Sequence, residues 1–178
     1  GVLTYTLEDG KDYPYSLRHV LLEQLKFLKR RIPDYKSYKK LSLDQIFTKE
    51  ELAEAAVLEA NDFNTKVYIN QRNGNFESIA LPIEAQFTPI FAISSGDYDH
   101  DGDIDIIMGG NQYNVLPEAG IYDASYGVYL SNNGAGGFDY VSPSDSGLKL
   151  LGQARDMHTS SNSVYVAMNN DSLRTFKY

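Results

Sequence analysis

Asp97-Tyr-Asp-His-Asp-Gly-Asp-Ile-Asp105 runs directly into Ile106-Ile-Met-Gly-Gly110, and the reading of this stretch decides the fold. Five carboxylates fall within nine residues. Packed so closely they repel one another, and a hard divalent cation of the calcium type, which takes about six to eight oxygen ligands, relieves that repulsion. Alternate aspartates around a turn-forming glycine supply those oxygens. On this spacing Asp97, Asp99 and Asp101 point their side chains inward at positions one, three and five. Gly102 turns the backbone at six, Asp103 offers its carbonyl at seven, and Asp105 closes the site at nine through both oxygens. The plain alternative is a solvated acidic turn.

The residues after the loop separate two kinds of calcium site. An EF-hand needs a bidentate Glu at position twelve and a helix leaving the loop. Position twelve is Met108, and Ile104-Asp-Ile-Ile-Met108 is β-branched and closes on Gly109-Gly110. That composition is a strand's, so the loop is expected to join two β-strands.

The chain of 178 residues is long enough for one substantial core or two small ones. It has no Cys, which removes disulfides and thiol chemistry. No apolar run approaches the roughly 18 residues of a membrane span, and no signal peptide is visible. Gly1 stands directly before a strand-like Val2-Leu-Thr-Tyr-Thr-Leu7, which reads as the start of an excised fragment or a processed product.

The net charge of −8 is uneven. From Ser16 to Lys40 eight Lys/Arg face only Glu23 and Asp34, so that segment carries +6 and the remainder −14. Such a patch could meet a polyanionic glycan, but a solvated helix face is the simpler account. Nucleic acid is not expected, because the acidic remainder repels phosphates.

The first third reads as helical. Leu17, Val20, Leu21, Leu25, Leu28 and Ile32 recur at helical spacing behind Ser16 as N-cap, and Pro33 stops the run. A short Tyr- and Lys-rich segment spans Tyr35 to Leu41. Ser42-Leu-Asp-Gln45 and Thr48-Lys-Glu-Glu51 are capping boxes, and the second is expected to open a helix running to about Glu59. No metal-ligand or catalytic spacing occurs here, and His19 reads as a surface or packing residue.

The remainder is strands and turns, and it repeats. Val67-Tyr-Ile-Asn-Gln-Arg-Asn-Gly-Asn-Phe76 recurs 61 residues on as Val128-Tyr-Leu-Ser-Asn-Asn-Gly-Ala-Gly-Gly-Phe138. Each is a strand, an Asn-Gly turn and a strand opening on Phe. The second halves correspond loosely, but Thr159-Ser-Ser-Asn-Ser163 stands where the aspartates were, so one ion site is expected and not two. A repeat of about 60 residues holding four strands is the mark of a β-propeller blade, which cannot bury both faces alone.

This combination, an Asn-Gly hairpin, an aspartate loop and an apolar strand ending in Gly-Gly, resembles the FG-GAP or VCBS repeat of integrin-α-type propellers. Leu81-Pro-Ile-Glu-Ala-Gln86, Gly109-Gly-Asn111 and Gly120-Ile-Tyr-Asp-Ala-Ser-Tyr126 further resemble the C-terminal part of large VCBS/FG-GAP proteins of Bacteroidetes, grouped also with the ASPIC/UnbV proteins. Ile121 departs from that pattern, where Arg is expected. The resemblance implies calcium on Asp97, Asp99, Asp101, Asp103 and Asp105. It also implies an extracellular or cell-surface location, in the periplasm or outer membrane of a Gram-negative bacterium.

The expected architecture is mainly β with an N-terminal helical segment: residues 1–62 helical with a leading strand, and 63–178 two propeller-like repeats (63–123 and 124–178). About two four-stranded antiparallel blades make a partial propeller, and its open edges are expected to be covered by the helical segment, by the missing blades or by a partner copy in a homodimer. The expected function is a calcium-binding, non-catalytic propeller segment of a surface or secreted protein, presenting loops to a glycan or a surface protein. The alternative is part of a calcium-dependent polysaccharide lyase or hydrolase. The 14 Tyr, three His and 16 Lys/Arg form no cluster with catalytic spacing to support it. A third reading is a structural assembly module whose edges pair with another chain. No direct membrane insertion is expected, and nucleophilic catalysis has no motif to rest on.

Overall fold

The structure is a computed structural model that describes residues 3–117 and 119–178. The chain divides into two compact units, Gly1–Asn61 and Asp62–Tyr178. The expectations that rest on Gly1 and Val2 lie outside the described residues.

In the first unit, β1 (Tyr5–Glu8) pairs antiparallel with β2 (Lys11–Pro14). The two-residue turn, Asp9 at φ 48° and Gly10 at φ 74°, has the positive angles that a tight hairpin requires. The leading strand is therefore half of a hairpin. Then come α1 (Arg18–Gln24), a 3₁₀ turn at Lys26–Arg30, α2 (Tyr35–Tyr38), α3 (Leu43–Ile46) and α4 (Lys49–Ala53).

The long helix expected after Ser16 does not form. Its N-cap is Leu17, and the run breaks at Leu25, whose φ −121° and ψ 72° are not helical. The break lets Arg18 Nη2 donate to the carbonyls of Ile32 and Pro33, both at 2.7 Å. In an unbroken helix Arg18 and Ile32 would stand about 21 Å apart. Folding back gathers Leu21, Leu22, Leu28, Ile32, Tyr38 and Ile46 into one core. Both capping boxes form, Ser42 N–H donating to Gln45 Oε1 at 3.1 Å and Thr48 N–H to Glu51 Oε2 at 2.8 Å. The second helix ends at Ala53 and not near Glu59, because the residues beyond have nothing to pack on; Leu58 is 93% exposed. The basic patch is partly spent inside the unit, with Arg31 in a two-pronged pair with Glu51 at 2.7 and 3.1 Å.

The second unit is β throughout. A hairpin of β3 (Lys66–Asn70) and β4 (Phe76–Ala80) leads through a 3₁₀ turn at Ile83–Gln86 to a four-stranded antiparallel meander. Its strands are β5 (Ile90–Gly96), β6 (Asp105–Gly110), β7 (Val128–Asn132) and β8 (Phe138–Val141). The short helix α5 (Pro143–Ser146) precedes a three-stranded meander of β9 (Ala154–Ser160), β10 (Ser163–Met168) and β11 (Arg174–Lys177). The protein is mainly β, with antiparallel sheets and no closed barrel among the described residues, as partial propeller-like blades require. One sheet has four strands, and the sheet after it has three.

The sheets and the sequence repeat are out of phase. The repeated Asn-Gly hairpin is β3–β4 in its first copy and β7–β8 in its second. The second copy supplies the last two strands of the four-stranded sheet, whose first two the aspartate loop joins, whereas the first copy forms a two-stranded sheet of its own. The four-stranded sheet is covered on both faces, which explains why Ile106-Ile107-Met108 is apolar without alternation. Ile107 faces Met157, Val164 and Val166 of the next sheet. Ile106 and Met108 face Leu81, Ala85 and Val67 on the other side.

The closing glycines of β6 are required by close approach. A Cβ on Gly109 would lie 2.7 Å from Met157 Cε, and one on Gly110 only 1.7 Å from the Pro89 carbonyl oxygen. Asn111, buried at φ 69°, then donates through Nδ2 to the carbonyls of Ser125 (2.7 Å) and Gly152 (3.0 Å). The Gly109–Asn111 and Gly120–Tyr126 stretches therefore meet in space, while Ile121 is exposed.

Candidate metal centre

Between Gly96, the end of β5, and Asp105, the start of β6, the chain makes a tight excursion. Gly102 at φ 97° and His100 at φ 65° take the left-handed conformations that tighten it. The aspartates bind the turn's own backbone: Gly102 N–H donates to Asp97 Oδ2 (3.1 Å), Asp101 N–H to Asp99 Oδ1 (3.2 Å) and Asp103 N–H to Asp101 Oδ1 (2.8 Å). The last two are Asx turns, in which a short carboxylate mimics a backbone acceptor.

Three of the five carboxylates converge. One oxygen each from Asp97, Asp99 and Asp105 lies within 4.8 Å of the other two. Unit charges that close repel by about 3 kcal/mol per pair at an effective dielectric near 20. Asp101 and Asp103 are not in this group. The Asp103 carboxylate turns toward the β7–β8 hairpin, so that a Cβ on Gly134 would meet its Oδ2 at 2.9 Å.

Asp105 is the anchor, with no exposed surface. Its Oδ2 accepts from Tyr98 N–H (2.9 Å) and Tyr129 OH (3.0 Å), and its Oδ1 from Asn132 N–H (2.9 Å). A carboxylate has about four acceptor positions. Three are filled, so Asp105 has one left to offer, where the sequence spacing anticipates two oxygens. Asp99 is exposed, and Ser131 Oγ donates to its Oδ2 at 3.0 Å. Burial, and then the hydrogen bond to Asp105, hold the Tyr129 phenol far above its ordinary range.

Asp97 Oδ1 is different. It is buried and has no hydrogen-bond partner among the described residues. Buried polar atoms are nearly always paired, so an orphan calls for a partner that the protein does not itself supply. A hard cation fits: the donor set is all oxygen, one of its atoms is unpaired, and the charges demand neutralisation. Tyr129, Ser131 and Asn132, which hold Asp105 and Asp99 from β7, gave no signal in the sequence beyond membership of a strand before a turn.

Comparison with known families agrees with this loop. Residues 53–108 match the family model of the FG-GAP-like repeat. The matched segment runs from the end of α4 through β3, β4, β5 and the aspartate loop into β6. It covers 56 of the 178 residues, and the second copy of the hairpin lies outside it. An FG-GAP-like repeat thus accounts for the loop and the strands it joins. No curated protein and no solved structure matches the chain. No helix among the described residues is long and apolar enough to cross a membrane.

Proposed function

We propose that the chain binds one calcium ion at the aspartate loop and serves as a non-catalytic, propeller-type segment of a surface or secreted protein. The observation that carries this reading is the buried, unpaired Asp97 Oδ1 within reach of Asp99 and Asp105. Asp97, Asp99 and Asp105 supply the first oxygens, and the Asp101 side chain and the Asp103 carbonyl complete the shell. A flexible cage of protein oxygens favours calcium over the smaller magnesium ion. The ion's part is mechanical, fixing the loop between β5 and β6. Extracellular modules hold calcium at dissociation constants of roughly 10⁻⁴ to 10⁻³ M, which suits the extracellular setting of FG-GAP-like repeats.

Two such repeats, 63–123 and 124–178, behind the 1–62 segment, and a kinship with the ASPIC/UnbV proteins of Bacteroidetes, belong to the same proposal. So do a glycan or surface protein as ligand and a homodimer through open sheet edges.

Calorimetric titration of chelator-treated protein with calcium, and with magnesium for comparison, tests the reading. One calcium-selective site per chain is expected. Absence of binding, or a site that magnesium fills equally well, rejects it.

A further inference from the structure

Beside the aspartate loop, the four-stranded and three-stranded sheets part to leave a cleft of about 560 Å³. That volume is in the range of small-molecule sites. Its inner wall is aromatic. Tyr98 meets Tyr129 and Tyr178 edge-to-face, with ring centroids 6.1 and 4.9 Å apart, and Phe176 of β11 adds a fourth ring. Its polar lining includes Asp99, Ser131, Asp145 and Lys177. Asp99 is thus shared: one carboxylate belongs to the ion triad and to the wall of the cleft.

We propose that this cleft binds a neutral saccharide ring, seated on the Phe176 and tyrosine faces with its hydroxyls turned to Asp99, Asp145 and Ser131. Three observations select that ligand class. The aromatic wall calls for a ligand with an apolar face. The polar lining is dominated by acceptors, so the ligand must carry several O–H donors around its edge. Charge decides the rest. Of the charged groups that line the cleft, Asp99 faces the ion and Asp145 and Lys177 offset each other, so the lining itself leaves no unmatched charge for an ionic ligand. This charge balance rests on the ion binding proposed above. Because the ion fixes in place the loop whose Asp99 also lines the cleft, ion and sugar are coupled, and each raises the other's affinity by the same factor.

Saturation-transfer NMR with the methyl glycosides of glucose, galactose and mannose tests the proposal, with glucuronate and choline as charged controls. Spectra are recorded on calcium-loaded and on chelator-treated protein. The expected result is transfer to at least one neutral glycoside on the calcium-loaded protein and weaker transfer in chelator. Phe176→Ala is expected to bind that glycoside about tenfold more weakly while keeping its calcium stoichiometry. Phe176 also packs on the core, so Asp145→Asn provides a second variant, which removes a charge of the lining while keeping an acceptor for Ser142 Oγ.

Calcium-loaded protein that transfers to no glycoside overturns the inference. So does a glycoside signal that both variants leave unchanged, or stronger binding of choline or glucuronate. If the protein takes up no calcium, the ion reading fails by itself. The cleft then stands on a neutral-glycoside signal that Phe176→Ala abolishes, and falls without one.

Discussion

Asn132 donates its backbone N–H to Oδ1 of Asp105 at 2.9 Å, across 27 positions of sequence. The last aspartate of the loop is thereby fastened to β7, while its other oxygen fastens Tyr98 and Tyr129. Asp105 therefore supports the sheet whether or not an ion is bound. Asp105→Ala strands one buried and two half-buried donors, a loss of about 3–5 kcal/mol. Urea unfolding in chelator reads this directly: Asp105→Ala is expected to unfold at a much lower midpoint, and Asp105→Asn at one between it and wild type. A wild-type midpoint for Asp105→Ala would mean that the aspartate serves the ion alone.

Asp97 separates ion binding from folding more cleanly. Asp97→Asn keeps an acceptor for Gly102 N–H but removes a charge from the triad, and calcium affinity is expected to fall by at least about tenfold. Asp101→Asn, outside the triad, is expected to lose less. Asp171→Ala breaks an exposed pair with Arg174 and is expected to leave the calcium isotherm unchanged. Matching losses at Asp97 and Asp171 in calorimetry would sink the assignment.

Tyr129 gives the fold an alkaline limit. Burial and Asp105 push its phenol up in the folded protein, whereas an unfolded tyrosine ionises near pH 10. A group whose folded value is raised contributes its full stability below the unfolded value, and that contribution is lost as pH rises toward the folded one. Stability is thus expected to be flat in this respect below about pH 10 and to fall above it. Thermal unfolding of wild type and Tyr129→Phe at pH values on either side checks this. The variant is expected to lose less on the alkaline side, with Tyr38, also raised by burial, supplying part of what remains.

The two glycines closing β6 differ in what blocks them. At Gly109 the nearest obstacle is the flexible end of Met157, and at Gly110 it is the Pro89 backbone. Overpacking of this kind costs about 1–3 kcal/mol. Gly110→Ala is expected at or above the upper end and Gly109→Ala toward the lower, compared by denaturant midpoints.

Much of this was legible in the sequence because it is local. The aspartate spacing, the Gly102 turn, the β-branched run at Ile106–Ile107 and the Asn-Gly hairpins each act within a few residues, and each forms. What could not be read is non-local. The helix behind Ser16 breaks at Leu25, and the folded-back chain, held by Arg18 on carbonyls 14 and 15 residues away, competes with a continuous helix. Periodicity cannot register that competition. The hold of Tyr129, Ser131 and Asn132 on the loop likewise depends on sheet order, and so does the turn of the Asp103 carboxylate toward the neighbouring hairpin.

The phase difference between repeat and sheet has a consequence for how this protein can be cut. A piece ending at residue 123, one whole sequence repeat, keeps every aspartate of the loop yet loses all of β7. It would present the carboxylates without Ser131 and Asn132 to position them and without the Tyr129 hydroxyl against Asp105. The hydrogen bonds that hold the loop's aspartates run instead from β5 to β7, across residue 123. Duplication or exchange of single repeats must therefore carry each loop to a neighbour able to hold it.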